Sequence, residues 1–363
     1  MATRICLSMI VKDDAHRLTT CLTSVRPFVD RWTIVDTGST DGTQSVIREL
    51  LRDTPGELVE RPWVDAAHNR NEALDLCRAS EHAEPGDYAL VIDADDRVRN
   101  LPQDLVLEAD GYTLSVMDGA TRSPRLAVVA LDLPWRWQGV AHGAPSLPDA
   151  TVAHLDKPDI VIGRVGSRGK DPETCLRDAE LLERSLREHP DDPRSEFYVA
   201  QSYRDAGDLE SALAWYRRRL ANSAGWDQER WYSAYQIGLA LELLGRPHER
   251  VQAAYLEAFE LRASRAEPLV ALARVERLRE HYEVALLYVA RAVEMPEPPP
   301  TEILVDLDVY RWKAWDEYAV SAYWAGYFTS GERAARQALA ARPGDKRLRA
   351  NLEFFRTRAG GPS

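Results

Sequence analysis

An α/β domain with a mostly parallel sheet, followed by an all-α domain of helical repeats, is the fold class this sequence predicts. Short apolar runs rich in β-formers alternate with helical patterns up to about residue 165. Helical periodicity continues alone from about Asp171 to Arg356. The chain has 363 residues, which suits two domains of roughly 100–200 residues each. The domains are set at residues 1–168 and 169–363.

Three strands are legible in order: Ile5–Val11, Trp32–Val35 and Tyr88–Ile92. The helical patterns near Ala15–Val25, Gln44–Arg52 and Asn69–Arg78 separate them. Strands spaced by helices of this length build βαβ units. Such sheets bind ligands at the carboxyl ends of their strands, so the chemistry is expected in the residues that follow each run.

In the second half, Glu196–Leu220 sets small Ala200, aromatic Tyr203, a turn at Gly207, small Ala212 and aromatic Tyr216 in order. Small residues let antiparallel helices approach closely, and the order resembles a tetratricopeptide (TPR) helix pair. Weaker echoes follow at Gly238, Leu241 and Gly245, at Ala273, Ala285 and Ala292, and at Ala322 and Ala334. The insert Met295–Pro300 stretches the last spacing. Tyr and Trp here read mostly as core, and Arg217–Arg219 as a solvated face.

Composition removes several classes. Hydrophobic residues make up 45% and charged residues 29%, which excludes global disorder. No apolar run of about 18 residues is present, so no membrane span is expected. The N-terminus lacks the pattern of a secretory signal. Cys6, Cys21, Cys77 and Cys175 are too scattered for a zinc site or a disulfide framework, and fit reduced thiols in a cytoplasm. The net charge of −12 ranks nucleic acid low as a partner. That charge is uneven: residues 1–165 hold 17 basic and 26 acidic side chains.

The acidity collects after the strands. Asp93-Ala94-Asp95-Asp96 follows the third run. Adjacent carboxylates repel unless a cation sits among them, and Mg²⁺ or Mn²⁺ often binds through one or two carboxylates plus substrate phosphates. Taken alone, the same residues also suit a solvated acidic turn. Asp36-Thr37-Gly38-Ser39-Thr40-Asp41-Gly42-Thr43 follows the second run and reads as a strand–helix turn, with Asp36 either structural or on a ribose or base. Ser8 to Asp14 would line the same sheet edge. Arg70 opens a helix, where an arginine can neutralise a diphosphate.

Together LSMIVKDD, IVDTGSTDGT, NRNEAL and VIDADD, in that order and spacing, resemble the GT-A fold glycosyltransferases of family 2, over residues 5 to about 165. Leu176-Arg177-Asp178-Ala179-Glu180, Phe197-Tyr198-Val199-Ala200-Gln201-Ser202-Tyr203 and Ser264-Arg265-Ala266-Glu267-Pro268 are similar to a bacterial and viral subgroup with TPR-like repeats. The resemblance implies that Asp36 contacts the nucleotide and that Ser8 lies in the donor site. It implies that Asp93 contacts the ribose or the metal, that Asp95 ligates the metal, and that Arg70 pairs with the diphosphate. It also implies an inverting displacement, which needs a general base.

Trp135-Arg136-Trp137-Gln138-Gly139-Val140-Ala141-His142-Gly143 resembles the family's segment ending in His-Glu, but Gly143 stands where the Glu is usual. His142 is left as a third metal ligand or as the base. Trp135 and Trp137 form either a sugar-stacking platform or packing. Gly166-Ser167-Arg168 resembles a subgroup segment, with Arg168 expected on a phosphate, and nearby His154 reads as structural.

The resemblance implies a metal-dependent (Mn²⁺ or Mg²⁺) glycosyltransferase using a nucleotide-sugar, with a UDP-sugar as the default. A protein, peptide or saccharide is the expected acceptor, helped by the repeats. Transfer to a modified base of DNA ranks below this. A GT-A domain degenerated at Gly143, serving only as a binding module, is the opposing class.

Overall fold

The structure, a computed structural model, describes residues 3–102, 105–163 and 171–359. The chain folds as two compact units, Met1–Gly207 with Pro300–Ile303, and Asp208–Pro299 with Leu304–Ser363. Strand gives way to helix on either side of residues 168/169. The first unit nonetheless continues to Gly207 and takes in two helices of the repeat-like region.

The first unit is built on β1 (Ile5–Val11), α1 (Ala15–Val25), β2 (Arg31–Asp36), α2 (Thr43–Leu50), β3 (Gly56–Glu60), α3 (Ala66–Ala79) and β4 (Tyr88–Val91). β5 (Arg97–Arg99), β6 (Gly111–Asp118), β7 (Thr121–Ala130), β8 (Arg136–Gln138), β9 (Ala144–Ser146) and β10 (Val152–Val161) follow. Helices α4 (Pro172–Glu188) and α5 (Pro193–Asp205) end the unit's main run. The expected strands and helices of residues 5–92 lie within a few residues of these limits.

The sheet runs β3-β2-β1-β4-β7-β6-β10-β5, and β8 pairs β9 separately. The pairs from β3 to β4 are parallel, whereas β7 lies antiparallel to both β4 and β6. The sheet is therefore mixed, with its parallel part at the end predicted to bind ligand.

Local chemistry explains these elements. β1 and β2 are continuous buried runs, as parallel strands covered on both faces must be. Leu18, Cys21, Leu22 and Val25 recur at helical spacing and seat α1 on the sheet. Asp65 caps α3 by accepting from His68 N at 2.7 Å. Asp171 and Asp192 cap α4 and α5, each followed by a proline at the first helical position. All four cysteines are buried free thiols.

The second unit contains α6 (Leu209–Ala221), α7 (Asp227–Leu243), α8 (His248–Leu261), α9 (Glu267–Leu278), α10 (Tyr282–Val293), α11 (Ala314–Ala325), α12 (Phe328–Ala341) and α13 (Lys346–Ala359). These are antiparallel pairs, as the small-residue echoes predict. A Cβ at Gly238 would come within 2.5 Å of the Tyr255 ring, so α7 and α8 pack closely only with glycine there. Ala273, Ala285, Ala292, Ala322 and Ala334 are all buried. Residues 295–308 separate α10 from a π turn at Val309–Lys313, which accounts for the long last spacing. No helix of the described residues is long and apolar enough to cross a membrane.

Candidate functional site

The carboxyl ends of β1 and β2 are stitched together by short polar side chains. Asp13 Oδ1 accepts from Thr40 N at 2.8 Å, and Asp14 N donates to Thr43 Oγ1 at 2.8 Å. Asp41 accepts from Ala15 N and Thr43 N, and the Thr43 hydroxyl holds its carboxyl below the usual range. Asp36 is fully buried. Its Oδ1 accepts from Ser39 N and Oγ, and its Oδ2 from Gln44 Nε2 at 2.6 Å. Asp36 is thus engaged within the turn it was expected to project from, and Gln44 would have to swing away before it met a nucleotide.

Asp93, Asp95 and Asp96 follow β4 as expected, but their environments differ. Asp96 is 2% exposed and takes Arg125 Nη2 at 2.5 Å. Burial pushes its carboxyl up and Arg125 opposes that shift. Arg70 Nη2 donates to Asp93 Oδ1 at 2.6 Å, and Arg125 Nη1 reaches its other oxygen at 3.5 Å. Asp95 makes no ion pair among the described residues. Burial and then the charge of Asp93 push its carboxyl up, while its own backbone and Arg17 pull it down. Ser8, Ile10, Arg70, Ala73, Ile92 and Asp93 line a narrow crevice at the start of this turn.

Gly163, just past β10, presses on this turn. A Cβ there would lie 1.8 Å from the Asp95 carbonyl oxygen. Only glycine lets the chain return so close to Asp95.

Arg70 also lies 4.4 Å from the centre of the Trp137 ring. Asn71 grips the backbone of Trp137 in both directions, at 3.2 Å to its carbonyl and 2.8 Å from its N–H. Arg136 pairs with Asp75 at 2.6 Å. The β8–β9 hairpin is therefore fastened to the helix that carries Arg70. Its tip turns through Gly139 (φ +99°) and His142 (φ +51°). His142 stacks on Tyr198 of α5 with centroids 4.6 Å apart and planes 5° apart.

Two expectations change. Among the described residues no three His, Cys, Asp or Glu side chains converge to hold a metal ion, so Asp93, Asp95 and His142 are not assembled as a ligand trio. His142 instead faces α4 and α5. Trp135 is 1% exposed and packs with Cys6, Leu74, Cys77 and Val91. It is core rather than a sugar platform, because its ring fills a cluster with β1, α3 and β4 side chains, and only Trp137 stays at the site. Arg168 and its neighbours Gly166 and Ser167 lie outside the described residues. His154 bonds Thr113 at 2.9 Å, and burial lowers its pKa, as suits a structural role.

A hard divalent cation does not need three protein ligands when a diphosphate supplies the rest. The donor set here is an unpaired, half-buried Asp95 carboxylate beside Asp93. That is oxygen chemistry of the right kind, with a repulsion a cation would relieve. Sequence reading missed Arg125, Gly163 and Asn71. Arg125 ends the polar first half of β7 (Thr121-Arg122-Ser123-Pro124-Arg125) with no motif around it, and Gly163 matters only through its spatial neighbour.

Residues 6–125 match the family described as Glycosyl transferase family 2. A TPR repeat-containing protein of Synechococcus elongatus is 27% identical over 267 residues, covering 65% of this chain and 61% of that protein. The chain thus spans less than two thirds of the length of that curated relative. MamA of Desulfovibrio magneticus RS-1 is similar over 50% of this chain and 85% of its own, at 16% identity and a TM-score of 0.37. A tetratricopeptide repeat protein from Parabacteroides merdae covers 52% of this chain and 68% of its own, at 16% identity and a TM-score of 0.40. Residues 6–125, about a third of this chain, thus carry the glycosyl transferase family 2 match, and packed helical pairs follow them from α4 onward.

Proposed function

We propose that the protein is a metal-dependent, inverting glycosyltransferase. It would move a sugar from a nucleotide-sugar, by default a UDP-sugar, to a protein, peptide or saccharide acceptor. One observation carries this reading: the family match includes the turn after β4, where Asp95 makes no ion pair among the described residues, beside the Arg70–Asp93 pair and at the carboxyl edge of the parallel strands. When bound there, Mn²⁺ or Mg²⁺ supplies charge neutralisation of the departing diphosphate.

The chain's own residues do the rest. Arg70 is poised to exchange Asp93 for a phosphate oxygen, with the Trp137 ring packed against its guanidinium. Asp36, Ser39 and Thr43 hold the β2 turn in shape beneath the nucleotide. The repeats offer an acceptor binding energy remote from the sugar.

The reading is tested by incubating the protein with Mn²⁺ and a panel of nucleotide-sugars, with mass spectrometry of the products. Free sugar or glycosylated product from at least one donor is expected. Nucleotide binding without turnover of any donor would favour the non-catalytic binding module instead.

A further inference from the structure

Position 143 is where a side-chain carboxylate is usual in the resembling segment, and this fold has no room for one. A Cβ at Gly143 would lie 2.5 Å from the Gln138 carbonyl oxygen and 3.2 Å from that of Gly139. Both contacts are backbone of the same tight hairpin tip, so they cannot move aside cheaply. Hairpin backbone occupies the place a side chain at 143 would take.

A carboxylate nevertheless stands at this tip, contributed by a different element. Asp178 Oδ2, on α4, is 3.9 Å from His142 Nε2. The imidazole is held in register by its stack on Tyr198, and Arg194 Nη2 donates to the His142 carbonyl at 3.3 Å. Arg194 in turn lies 4.9 Å from the centre of the Tyr198 ring. His142 holds a left-handed backbone at φ +51°, a conformation that costs energy outside glycine and that these contacts must sustain. On its other side the hairpin is fixed to α3 through Asn71 and Asp75, next to Arg70. The first two helices of the repeat-like region therefore belong to the same compact unit as the donor site.

We propose that α4 supplies in space the carboxylate that position 143 lacks: Asp178 positions His142, which takes the acceptor's proton. This rests on the glycosyltransferase reading above. In the step, the acceptor O–H gives its proton to the imidazole as its oxygen bonds to the anomeric carbon. The bond from that carbon to the diphosphate oxygen breaks, and its electron pair leaves with the nucleoside diphosphate. At 3.9 Å Asp178 is beyond hydrogen-bond length of Nε2; closing that gap in the complex would direct the Nε2–H to it and leave the other ring nitrogen basic, and its charge would stabilise the imidazolium formed. Asp178 is a positioning residue, and α4 and α5 serve the active site as well as the repeats.

The test compares the full chain with Asp178→Asn, Asp178→Glu, His142→Asn and the double variant Asp178→Asn/His142→Asn. The readouts are donor turnover and the melting-temperature shift given by UDP with Mn²⁺. Each Asn variant should lower kcat by about 10²-fold or more, with KM for the donor within about threefold and the UDP shift retained. The double variant should be no slower than His142→Asn alone, because the two residues act as one unit. Asp178→Glu should recover part of the rate.

The proposal is overturned if Asp178→Asn keeps kcat within about threefold, if the two losses multiply in the double variant, or if the UDP shift disappears along with the rate. A wild-type protein that turns over no donor would instead overturn the glycosyltransferase reading, and this proposal with it.

Discussion

The ligand edge of the sheet and the helical repeats handle charge in opposite ways. In the repeats, acidic groups meet basic ones from helix to helix. Arg274 of α9 grips Glu242 of α7 with two bonds of 2.6 Å, and Arg277 of α9 reaches Glu317 of α11 at 2.5 Å. Arg347 of α13 pairs with Asp316 of α11 at 2.8 Å. Just before α9, buried Arg265 pairs with buried Glu267 at 2.6 Å and lies 3.8 Å from the Trp231 ring centre. At the sheet edge, carboxylates crowd together: Asp93 and Asp96 share Arg125, and Asp95 is left without an ion pair. Paired charges specify a packing arrangement, whereas an unpaired carboxylate among like charges lowers stability and is a mark of a binding site.

The largest expected effect breaks that contrast at its sharpest point. Asp95→Ala should cut donor turnover by about 10³-fold or more in the mass-spectrometric assay, since charge stabilisation of a leaving group contributes several kcal/mol. The same variant should melt at or slightly above the wild-type temperature without metal, because it removes a repelled carboxylate. A stability loss of several degrees would show that Asp95 is structural.

Next comes Arg265→Ala, which leaves buried Glu267 with no cationic partner among the described residues and only the Tyr310 hydroxyl donating to it. Breaking a buried pair costs about 3–5 kcal/mol, and hydrogen exchange should report the loss across α7 and α9 while UDP binding is retained. Gly163→Ala reverses the pattern. It places a methyl group against the Asp95 carbonyl, and should cost about 1–3 kcal/mol by thermal melting while also weakening UDP binding with Mn²⁺.

The smallest effect is one of pH. Burial lowers the folded-state pKa of His154 below its unfolded value of about 6.5. Its neutral form is thus favoured by folding, and this contribution is present above about pH 6.5 and lost as pH falls further. Melting curves between pH 7 and 5 should show that loss, and His154→Asn should flatten it.

Three of the four strands from β3 to β4 were legible in the sequence, because β1, β2 and β4 are bare apolar runs closed by a turn with aspartate; β3 was not, because Gly56-Glu57-Leu58-Val59-Glu60 mixes charge into a short, half-buried strand. Asp93 and Asp95 were legible for the same reason, since they follow a run directly, whereas Arg70 was legible from its place in the first turns of a helix. The antiparallel half was not, because β7 carries Arg122, Pro124 and Arg125 among its apolar residues and shows no clean alternation. Trp135 and Trp137 look equivalent two residues apart, yet one is core and the other sits on Arg70, a distinction set by how the hairpin docks on α3. The pairing of His142 with Asp178 spans 36 residues and crosses from a hairpin to a helix, so no local pattern could announce it.

The most direct measurement is calorimetric titration of UDP into the wild-type protein and Asp95→Ala, each with Mn²⁺ and with EDTA. If the strand-end carboxylates hold a metal-bridged diphosphate, the wild type binds UDP with Mn²⁺, and both EDTA and Asp95→Ala weaken binding by about tenfold or more. No binding by the wild type, or binding indifferent to both changes, would contradict the assignment of this edge as a nucleotide-sugar site.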